Sequence, residues 1–206
     1  MTNILHIKSS IFGGNGQSSQ LSDRFVAQWC KNNGSAGVVE RDLSVDPVPH
    51  LDGEMVAGFM SAEADRNAKQ LQAIALSEEL ISELQTADII VLGLPMYNFG
   101  IPSNLKAWID HVARAGITFQ YTENGPNGLL SGKKAYVLAA RGGLYEGSDA
   151  DTQTPYIKKI LGFVGITDVT IVAAEGLNMG DAAKAASLAK AQAELDDLVS
   201  NDAQAA

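Results

Sequence analysis

The stretch Ala87-Asp88-Ile89-Ile90-Val91-Leu92-Gly93 decides the fold, because it is a nearly unbroken run of apolar residues. Such a run is typical of a strand that is buried on both faces at the centre of a parallel sheet. Similar segments alternate along the chain with segments of helical periodicity. We predict strands at 4–7, 38–43, 87–93, 135–139 and 169–173, and helices at 18–31, 68–84, 102–113, 154–164 and 181–199. This alternation predicts an α/β fold, a doubly wound five-stranded parallel sheet with helices on both faces.

Two segments depart from the alternation. Residues 48–60 are apolar, but Pro49, Gly53 and Gly58 break them up too much for a long helix. Residues 117–132 first alternate apolar with other residues and then contain Asn124-Gly125-Pro126-Asn127-Gly128, so they predict an excursion with tight turns.

Composition bounds the class of protein. A chain of 206 residues with 46% apolar content predicts a single domain over 1–206. A net charge of −9 argues against a nucleic-acid partner, and the longest apolar run, 89–96, is far short of the ~20 residues of a membrane span. The single cysteine, Cys30, allows no internal disulfide, and the N-terminus has neither a basic leader nor an apolar signal core. We therefore expect a cytoplasmic location.

Ligands of doubly wound sheets bind outside the carboxyl ends of the strands, where the strand order reverses. Three loops follow predicted strands at this edge, and each has unusual chemistry: residues 9–19, 95–99 and 141–145. We therefore expect these three loops to form one binding site.

The first loop, Ser9-Ser10-Ile11-Phe12-Gly13-Gly14-Asn15-Gly16-Gln17-Ser18-Ser19, precedes a helix. Its hydroxyls, small residues and helical N–H groups suit a phosphate monoester. We expect the donors to be Ser10, Gln17, Ser18 and Ser19. A solvated turn that only caps the helix is the simpler alternative.

Two other phosphate motifs resemble this loop. A dinucleotide fingerprint would use Gly14 and Gly16 with Ser19 in the third glycine position, and Glu40 or Asp42 as the ribose-binding acid, so a dinucleotide-binding Rossmann domain stays an alternative. A triphosphate-binding loop needs a lysine where Gln17 stands, and that interpretation fails.

The second loop, Pro95-Met96-Tyr97-Asn98-Phe99, offers apolar and aromatic surface that suits a flat ring lying near Asn98. The alternative is that these side chains close the sheet edge. In the third loop, Gly142 and Gly143 allow close approach of the backbone, and their N–H groups suit negative charge on a reduced ring. Arg141 either adds to that charge stabilisation or pairs with a surface carboxylate. Together the loops predict a site for flavin mononucleotide (FMN).

The chain resembles the FMN-dependent NADH-azoreductase family, within the flavodoxin-like NAD(P)H:quinone oxidoreductases. The resemblance runs nearly end to end. Its specific parts are Lys8-Ser9-Ser10, Gln17-Ser18-Ser19-Gln20-Leu21-Ser22, Pro95-Met96-Tyr97-Asn98-Phe99, Ala113-Arg114-Ala115-Gly116-Ile117-Thr118-Phe119, Tyr121-Thr122-Glu123-Asn124-Gly125-Pro126 and Arg141-Gly142-Gly143. The fold that it implies is flavodoxin-like.

The resemblance also implies the cofactor contacts. These fall at Ser10, Gly16, Gln17, Ser18, Met96, Tyr97, Asn98, Phe99, Ala140, Arg141, Gly142 and Gly143. Gly16 and Ala140 depart from the family pattern, since serine is frequent at both positions. The family further implies a homodimer with its flavin pockets at the interface, which would cover 48–60 and Phe163.

We expect a ping-pong reaction in which NADH or NADPH reduces FMN and leaves before a quinone, azo compound or similar flat acceptor takes the same place. Asn98 would align the ring, while Phe99, Tyr121 and the partner's Phe163 would wall it. A flavodoxin-type single-electron carrier is the other flavin-binding alternative. A binding or scaffold protein with the same fold is a further alternative, and it would stay colourless with added FMN.

The histidines carry weaker signals. His6 is predicted within a strand, His50 in a loop and His111 in a helix, so we expect no metal site. Asp110 and His111 are adjacent in a helix and face different sides, which argues against a hydrolytic dyad.

Overall fold

The computed structural model describes residues 1–34 and 36–205. Its main sheet has five parallel strands in the order β2-β1-β3-β6-β7. The seven strands are β1 (Asn3–Lys8), β2 (Gly37–Asp42), β3 (Ile89–Pro95), β4 (Phe119–Thr122), β5 (Gly125–Gly128), β6 (Lys134–Ala140) and β7 (Asp168–Ala174). The order reverses between β1 and β3, which confirms the doubly wound prediction and locates the expected ligand edge.

Six helices cover the two faces of this sheet. They are α1 (Gln17–Asn33), α2 (Gly53–Met60), α3 (Ala68–Thr86), α4 (Ser103–Val112), α5 (Gln153–Val164) and α6 (Asp181–Ala205). Apolar side chains of α1 and α6 form one buried cluster, which includes Phe25 and Leu195. Those of α3, α4 and α5 form the other cluster, which includes Leu80, Leu105 and Ile157. Strand residues alternate between the two clusters, as the pleat of a sheet covered on both faces requires.

The central strand β3 is buried at every residue. Gly93 near its carboxyl end is close to α1, because a Cβ atom there would lie 3.0 Å from the Ser18 carbonyl oxygen and 3.0 Å from Ser22 Oγ. A larger residue would push the start of α1 away from the sheet. The glycine therefore sets the first turn of α1 directly beside the point where the strand order reverses.

The two irregular segments resolve into short elements. Residues 48–60 contain α2, whose start is capped by the Asp52 carboxylate accepting from the Met55 N–H at 2.9 Å. The predicted excursion contains the antiparallel pair β4 and β5, in which Phe119 pairs with Gly128. In the part of the chain that the structure describes, no helix has the length and apolar character needed to cross a bilayer.

Candidate functional site

A cleft of about 240 Å³ lies at the carboxyl ends of β1, β3 and β6. The three loops that we expected to converge all contribute to it. Its lining residues are Ser10, Phe12, Gly16, Gln17, Pro95, Met96, Tyr97, Ala140, Arg141, Gly142, Leu177, Asn178 and Lys184. Eight of the predicted cofactor-binding positions are in that set. Ser18, Asn98 and Gly143 are adjacent in sequence to members of the set, and Phe99 is two positions from Tyr97.

The start of α1 forms one end of the cleft. Its first helical hydrogen bond runs from the Gln20 N–H to the Gly16 carbonyl oxygen at 3.0 Å, so the N–H groups of Gln17, Ser18 and Ser19 have no acceptor within the helix. Ser18 and Ser19 are fully buried, and among the described residues neither hydroxyl has a hydrogen-bond partner. These donors lie where the positive end of the helix dipole favours an anion.

The first and second loops are joined through hydroxyl groups. Ser10 Oγ and the Tyr97 hydroxyl are 3.2 Å apart, and the Tyr97 hydroxyl also accepts from the Ile11 N–H at 3.3 Å. Gly16 is in direct contact with Ser10, since a Cβ atom at Gly16 would lie 2.1 Å from Ser10 Oγ. The absence of a side chain at Gly16 therefore leaves the space that the Ser10 hydroxyl occupies.

The second loop contains the only non-glycine residues with positive φ in the described backbone, Asn98 (50°) and Phe99 (64°). Tyr97 and Gly100 exchange both backbone hydrogen bonds, at 3.1 and 3.0 Å, around these two residues. Positive φ at both central positions is the requirement of a type I′ turn, and it costs a bulky residue such as Phe99 on the order of 1–2 kcal/mol. Thr152 Oγ1 donates to the Phe99 carbonyl oxygen and helps to hold this conformation.

The third loop differs from the prediction at Arg141. Its guanidinium is buried and does not extend to a surface carboxylate, because it binds Asp151 Oδ2 at 3.1 Å and Glu175 Oε1 at 2.9 Å, two carboxylates that are themselves about 10% exposed. Its backbone N–H donates to the Ala174 carbonyl oxygen. Arg141 therefore contributes its backbone to the cleft wall, while its charge is neutralised within the protein.

Gln153 connects this ion-pair network to the second loop. Its Oε1 accepts from Arg141 Nε at 3.3 Å, and its Nε2 donates to the carbonyl oxygens of Pro95 at 2.8 Å and Gly100 at 3.3 Å. The side chain is 1% exposed. No local feature of the sequence indicates this role, because the two carbonyl groups that Gln153 binds are 58 and 53 positions away.

A fourth loop, after β7, completes the cleft and was also missed. Leu177, Asn178 and Lys184 line it, and backbone hydrogen bonds fix the loop, with the Asn178 N–H donating to the Gly142 carbonyl oxygen at 3.0 Å. A Cβ atom at Gly142 would lie 2.5 Å from Asn178 Nδ2. The sequence does indicate this loop, because Glu175-Gly176-Leu177-Asn178-Met179-Gly180 follows the last predicted strand at the same sheet edge.

Tyr121 and Phe163 lie outside the cleft of a single chain. Tyr121 is 75% exposed on β4 and contacts the edge of Phe119, with ring centroids 5.5 Å apart. Phe163 also packs against Phe119, with ring centroids 4.3 Å apart. Phe99 is 56% exposed and contacts Tyr145 edge to face at 5.9 Å. Within one chain, only Phe99 of these three predicted wall residues belongs to a loop that forms the cleft.

A cluster of ionisable groups lies apart from the cleft. Ligand atoms of His6, Asp23 and Glu40 are within 4.8 Å of one another, a grouping that we did not expect. Lys8 Nζ already binds Glu40 Oε1 at 2.8 Å and lies 3.5 Å from Asp23 Oδ1. Burial lowers the pKa of His6, and its Nε2 is 2.8 Å from Ser22 Oγ. Since the lysine supplies the positive charge, the cluster serves as an ion-pair network.

The donor set of the cleft fits FMN. A phosphate monoester needs several donors around one point, and the free N–H groups at the start of α1, together with the unpartnered Ser18 hydroxyl, meet that need. The Met96 N–H is already used, donating to the Ala140 carbonyl oxygen at 3.0 Å. In the described backbone, the N–H groups of Gly142 and Gly143 have no acceptor and remain available to the polar edge of a ring.

The strand order and the position of this cleft define a flavodoxin-like protein. Residues 2–199 match the family described as having the flavodoxin-like fold. An FMN-dependent NADH:quinone oxidoreductase of Alcanivorax borkumensis is 59% identical over 193 residues, which cover 94% of this chain and 98% of that protein. An FMN-dependent NADH:quinone oxidoreductase of Escherichia coli K12 is 48% identical over 200 residues, which cover 97% of this chain and 100% of that protein.

Solved structures agree with these relatives. An azoreductase from Bacillus anthracis superposes with a TM-score of 0.89 at 30% identity, over 97% of this chain and 99% of that one. An FMN-dependent NADH-azoreductase from the same species, solved in complex with FMN, superposes with a TM-score of 0.89 at 25% identity, over 98% of this chain and 100% of that one. The chain therefore belongs to the family of flavodoxin-like FMN-dependent NADH:quinone oxidoreductases.

Proposed function

We propose that this chain is an FMN-dependent oxidoreductase that passes two electrons from NADH or NADPH to quinones, azo compounds or similar flat acceptors. The observation that carries the proposal is the cleft itself. The cleft is lined by Gly16 and Gln17 and by Met96 and Tyr97. The first pair begins a helix with unbonded N–H groups and a buried, unpartnered Ser18 hydroxyl, and the second pair directly precedes the strained residues Asn98 and Phe99. Names of relatives up to 59% identical support the same activity.

The phosphate end of the cofactor would be held by the first loop. Ser10, Gln17 and Ser18 offer hydroxyl, amide and backbone donors there, whereas the Gly16 N–H already donates to the Gly13 carbonyl oxygen, so Gly16 would only border the phosphate. At Gly16 and Ala140, the hydroxyl that serine would supply is missing, so the backbone and the neighbouring Ser10 must provide the contacts. FMN, when bound, would supply the capacity to accept two electrons from one substrate and give them to the next.

The ring end would be held by the second and third loops. Met96, Tyr97 and Asn98 would border the ring, with Phe99 as an aromatic wall. The N–H groups of Gly142 and Gly143 and the backbone of Ala140 and Arg141 would border its polar edge. The catalytic contribution of Asn98 and Phe99 is orientation, which the type I′ turn fixes in advance. Acid–base chemistry by one side chain is not required.

We propose that the active form is a homodimer. The cleft holds about 240 Å³, less than the 300–1,000 Å³ typical of pockets that enclose a drug-sized ligand, and a second chain would add walls around a bound flavin ring. The exposed Tyr121 and the half-buried Phe163 form a row with Phe119 that could complete the partner's site. Exposed Val56 and Met60 of α2 offer further apolar surface for the contact.

We further propose that residues 1–206 form one domain of a cytoplasmic protein. The two apolar clusters share one sheet, so the chain should unfold in a single transition. Cys30, the only cysteine, is a free thiol, in keeping with a reducing compartment.

The first test is whether the purified chain binds FMN and turns over. After incubation with FMN and gel filtration, the protein should carry flavin absorbance, and anaerobic NADH should bleach it in stopped flow. Addition of a quinone should restore the absorbance, as a ping-pong reaction requires. A chain that stays colourless with added FMN would overturn the proposal.

A flavodoxin-type electron carrier is the second candidate, and the acidic net charge of −9 and the flavodoxin-like sheet favour it. Such a carrier would bind FMN but would not be reduced directly by NADH. The same stopped-flow experiment therefore separates the two functions. We prefer the enzyme because the cleft and the exposed Phe99 leave a face open to small flat substrates.

A further inference from the structure

Resting on the proposed function, we propose that Lys184 is the cationic partner of the FMN phosphate. Lys184 lies in the first turns of α6 and lines the same cleft as Gly16 and Gln17 at the start of α1. From the sequence alone, we expect hydroxyls and N–H groups to bind the phosphate without a cation. The fold adds a cation from a segment more than 160 positions away.

The charge balance of the cleft supports this assignment. Two of its lining side chains carry a positive charge, Arg141 and Lys184. The positive charge of the Arg141 guanidinium is neutralised by the carboxylates of Asp151 and Glu175. Lys184 is half-buried, and among the described residues no carboxylate lies within ion-pair distance of it. It is therefore the one unneutralised cation of the cleft within the part of the chain that the structure describes.

The backbone anchors Lys184 at this place. Its N–H donates to the Gly180 carbonyl oxygen at 3.0 Å, the first helical hydrogen bond of α6. The preceding loop is fixed to the third loop through the Leu177 N–H, which donates to the Arg141 carbonyl oxygen at 3.1 Å. The stem of Lys184 thus starts from a rigid wall of the cleft, and a flexible ammonium group can reach an anion from it.

A dianionic phosphate has a strong need for such a partner here. The chain carries a net charge of −9, so long-range repulsion disfavours the binding of a further anion. Hydrogen bonds from neutral donors at α1 satisfy phosphate oxygens, but they do not balance the charge. A cation in the same cleft would therefore favour FMN over riboflavin, which has the same ring and no phosphate.

The test compares the two flavins in three variants. Dissociation constants for FMN and riboflavin are measured by quenching of flavin fluorescence on the apoprotein at low and high salt. In Lys184→Met, we expect FMN to bind about tenfold more weakly, the loss of one charge-assisted hydrogen bond, with riboflavin unchanged and the salt dependence of FMN binding reduced. Lys184→Arg should retain most of the FMN affinity. Lys190→Met removes the same charge from an exposed position of α6 and should change neither constant.

The outcomes separate the assignment from the proposed function. Unchanged FMN affinity in Lys184→Met, or an equal loss of FMN and riboflavin, overturns the role of Lys184 while FMN binding by the unmodified chain stands. Loss of FMN affinity in Lys184→Arg as large as in Lys184→Met also overturns it. An unmodified chain that binds neither flavin overturns the proposed function together with the assignment.

Discussion

Gln153 Nε2 donates to the Pro95 carbonyl oxygen at 2.8 Å, which ties the first residue of α5 to the carboxyl end of β3. The same nitrogen is 3.3 Å from the Gly100 carbonyl oxygen, so one buried amide holds both ends of the loop that carries Asn98 and Phe99. Arg141 orients this amide from its other side. The second loop is therefore held in one conformation by contacts within the protein.

The first prediction concerns this amide. Gln153→Met keeps the size of the side chain but removes the hydrogen bonds that link it to the buried Pro95 carbonyl oxygen and to Arg141 Nε, so the free energy of unfolding should fall by about 1–3 kcal/mol. The loop should also loosen, and FMN should bind more weakly. Denaturant unfolding and FMN titration measure the two effects. Gln72→Met, at an exposed position of α3, is the control, and equal behaviour of the two variants would contradict the role given to Gln153.

The second prediction concerns the strain at Phe99. Because glycine adopts a φ of 64° without steric cost, Phe99→Gly should be more stable to denaturant than Phe99→Ala by about 1 kcal/mol. Both variants lose the ring and its edge-to-face contact with Tyr145, so both should reduce quinones more slowly. If Phe99→Ala proves as stable as Phe99→Gly, the turn conformation is not strained.

The third prediction concerns the close contact of Gly142 with Asn178. A valine at Gly142 must displace the Asn178 amide, from which its Cβ atom would be 2.5 Å, and its methyl groups would enter the cleft. We expect Gly142→Val to retain less FMN through gel filtration than the unmodified chain.

The double variant Gly142→Val/Asn178→Ala identifies the cause. Removal of the amide should relieve the steric conflict and restore stability in thermal unfolding, because Asn178 is exposed and its side chain makes no hydrogen bond among the described residues. FMN retention should stay low, because the methyl groups still occupy the cleft. Unchanged flavin content in Gly142→Val would count against the placement of the third loop.

The parts of this structure that follow local rules were predictable from the sequence. The apolar run ending at Gly93 indicated the central strand, and the Gly- and Asn-rich turn after Tyr121 indicated the β4–β5 excursion, because period and turn chemistry are properties of neighbouring residues. The convergence of three loops followed from topology alone, since parallel strands end at the same edge.

The partners of buried polar groups were not predictable in this way. Arg141 meets Glu175 across 34 positions and Gln153 meets Pro95 across 58, and such pairings depend on how adjacent strands and a helix start are placed in three dimensions. For that reason the sequence allowed two roles for Arg141, charge stabilisation of a ring or pairing with a carboxylate. Neighbouring residues likewise did not indicate the roles of Gln153 and Lys184. Direct contact of FMN with the predicted residues stays a prediction.

The last prediction is a pH effect at His111. This side chain is fully buried in α4, its Nε2 is 3.0 Å from the Pro49 carbonyl oxygen, and its Nδ1 has no partner among the described residues. Burial lowers the pKa of His111, and the nearby charge of Arg114 lowers it further, against the opposing effects of the Pro49 hydrogen bond and Asp110. Protonation would add a buried N–H at Nδ1 with no acceptor.

The sign of the effect follows from linkage. Above the ordinary histidine pKa of 6.5, His111 is neutral in both the folded and the unfolded chain and adds no pH dependence. Below it, the unfolded chain binds a proton that the folded chain does not bind, so stability falls until the pH passes the lower pKa of the folded state.

His111→Gln can still donate to the Pro49 carbonyl oxygen but does not titrate. The free energy of unfolding is measured with urea from pH 8 to pH 5 for His111→Gln and for the unmodified chain. Below about pH 6.5, the unmodified chain should lose more stability than His111→Gln. His50→Gln, at an exposed position, is the matched control, and parallel curves for His111→Gln and the unmodified chain would show that His111 takes up its proton in the folded state.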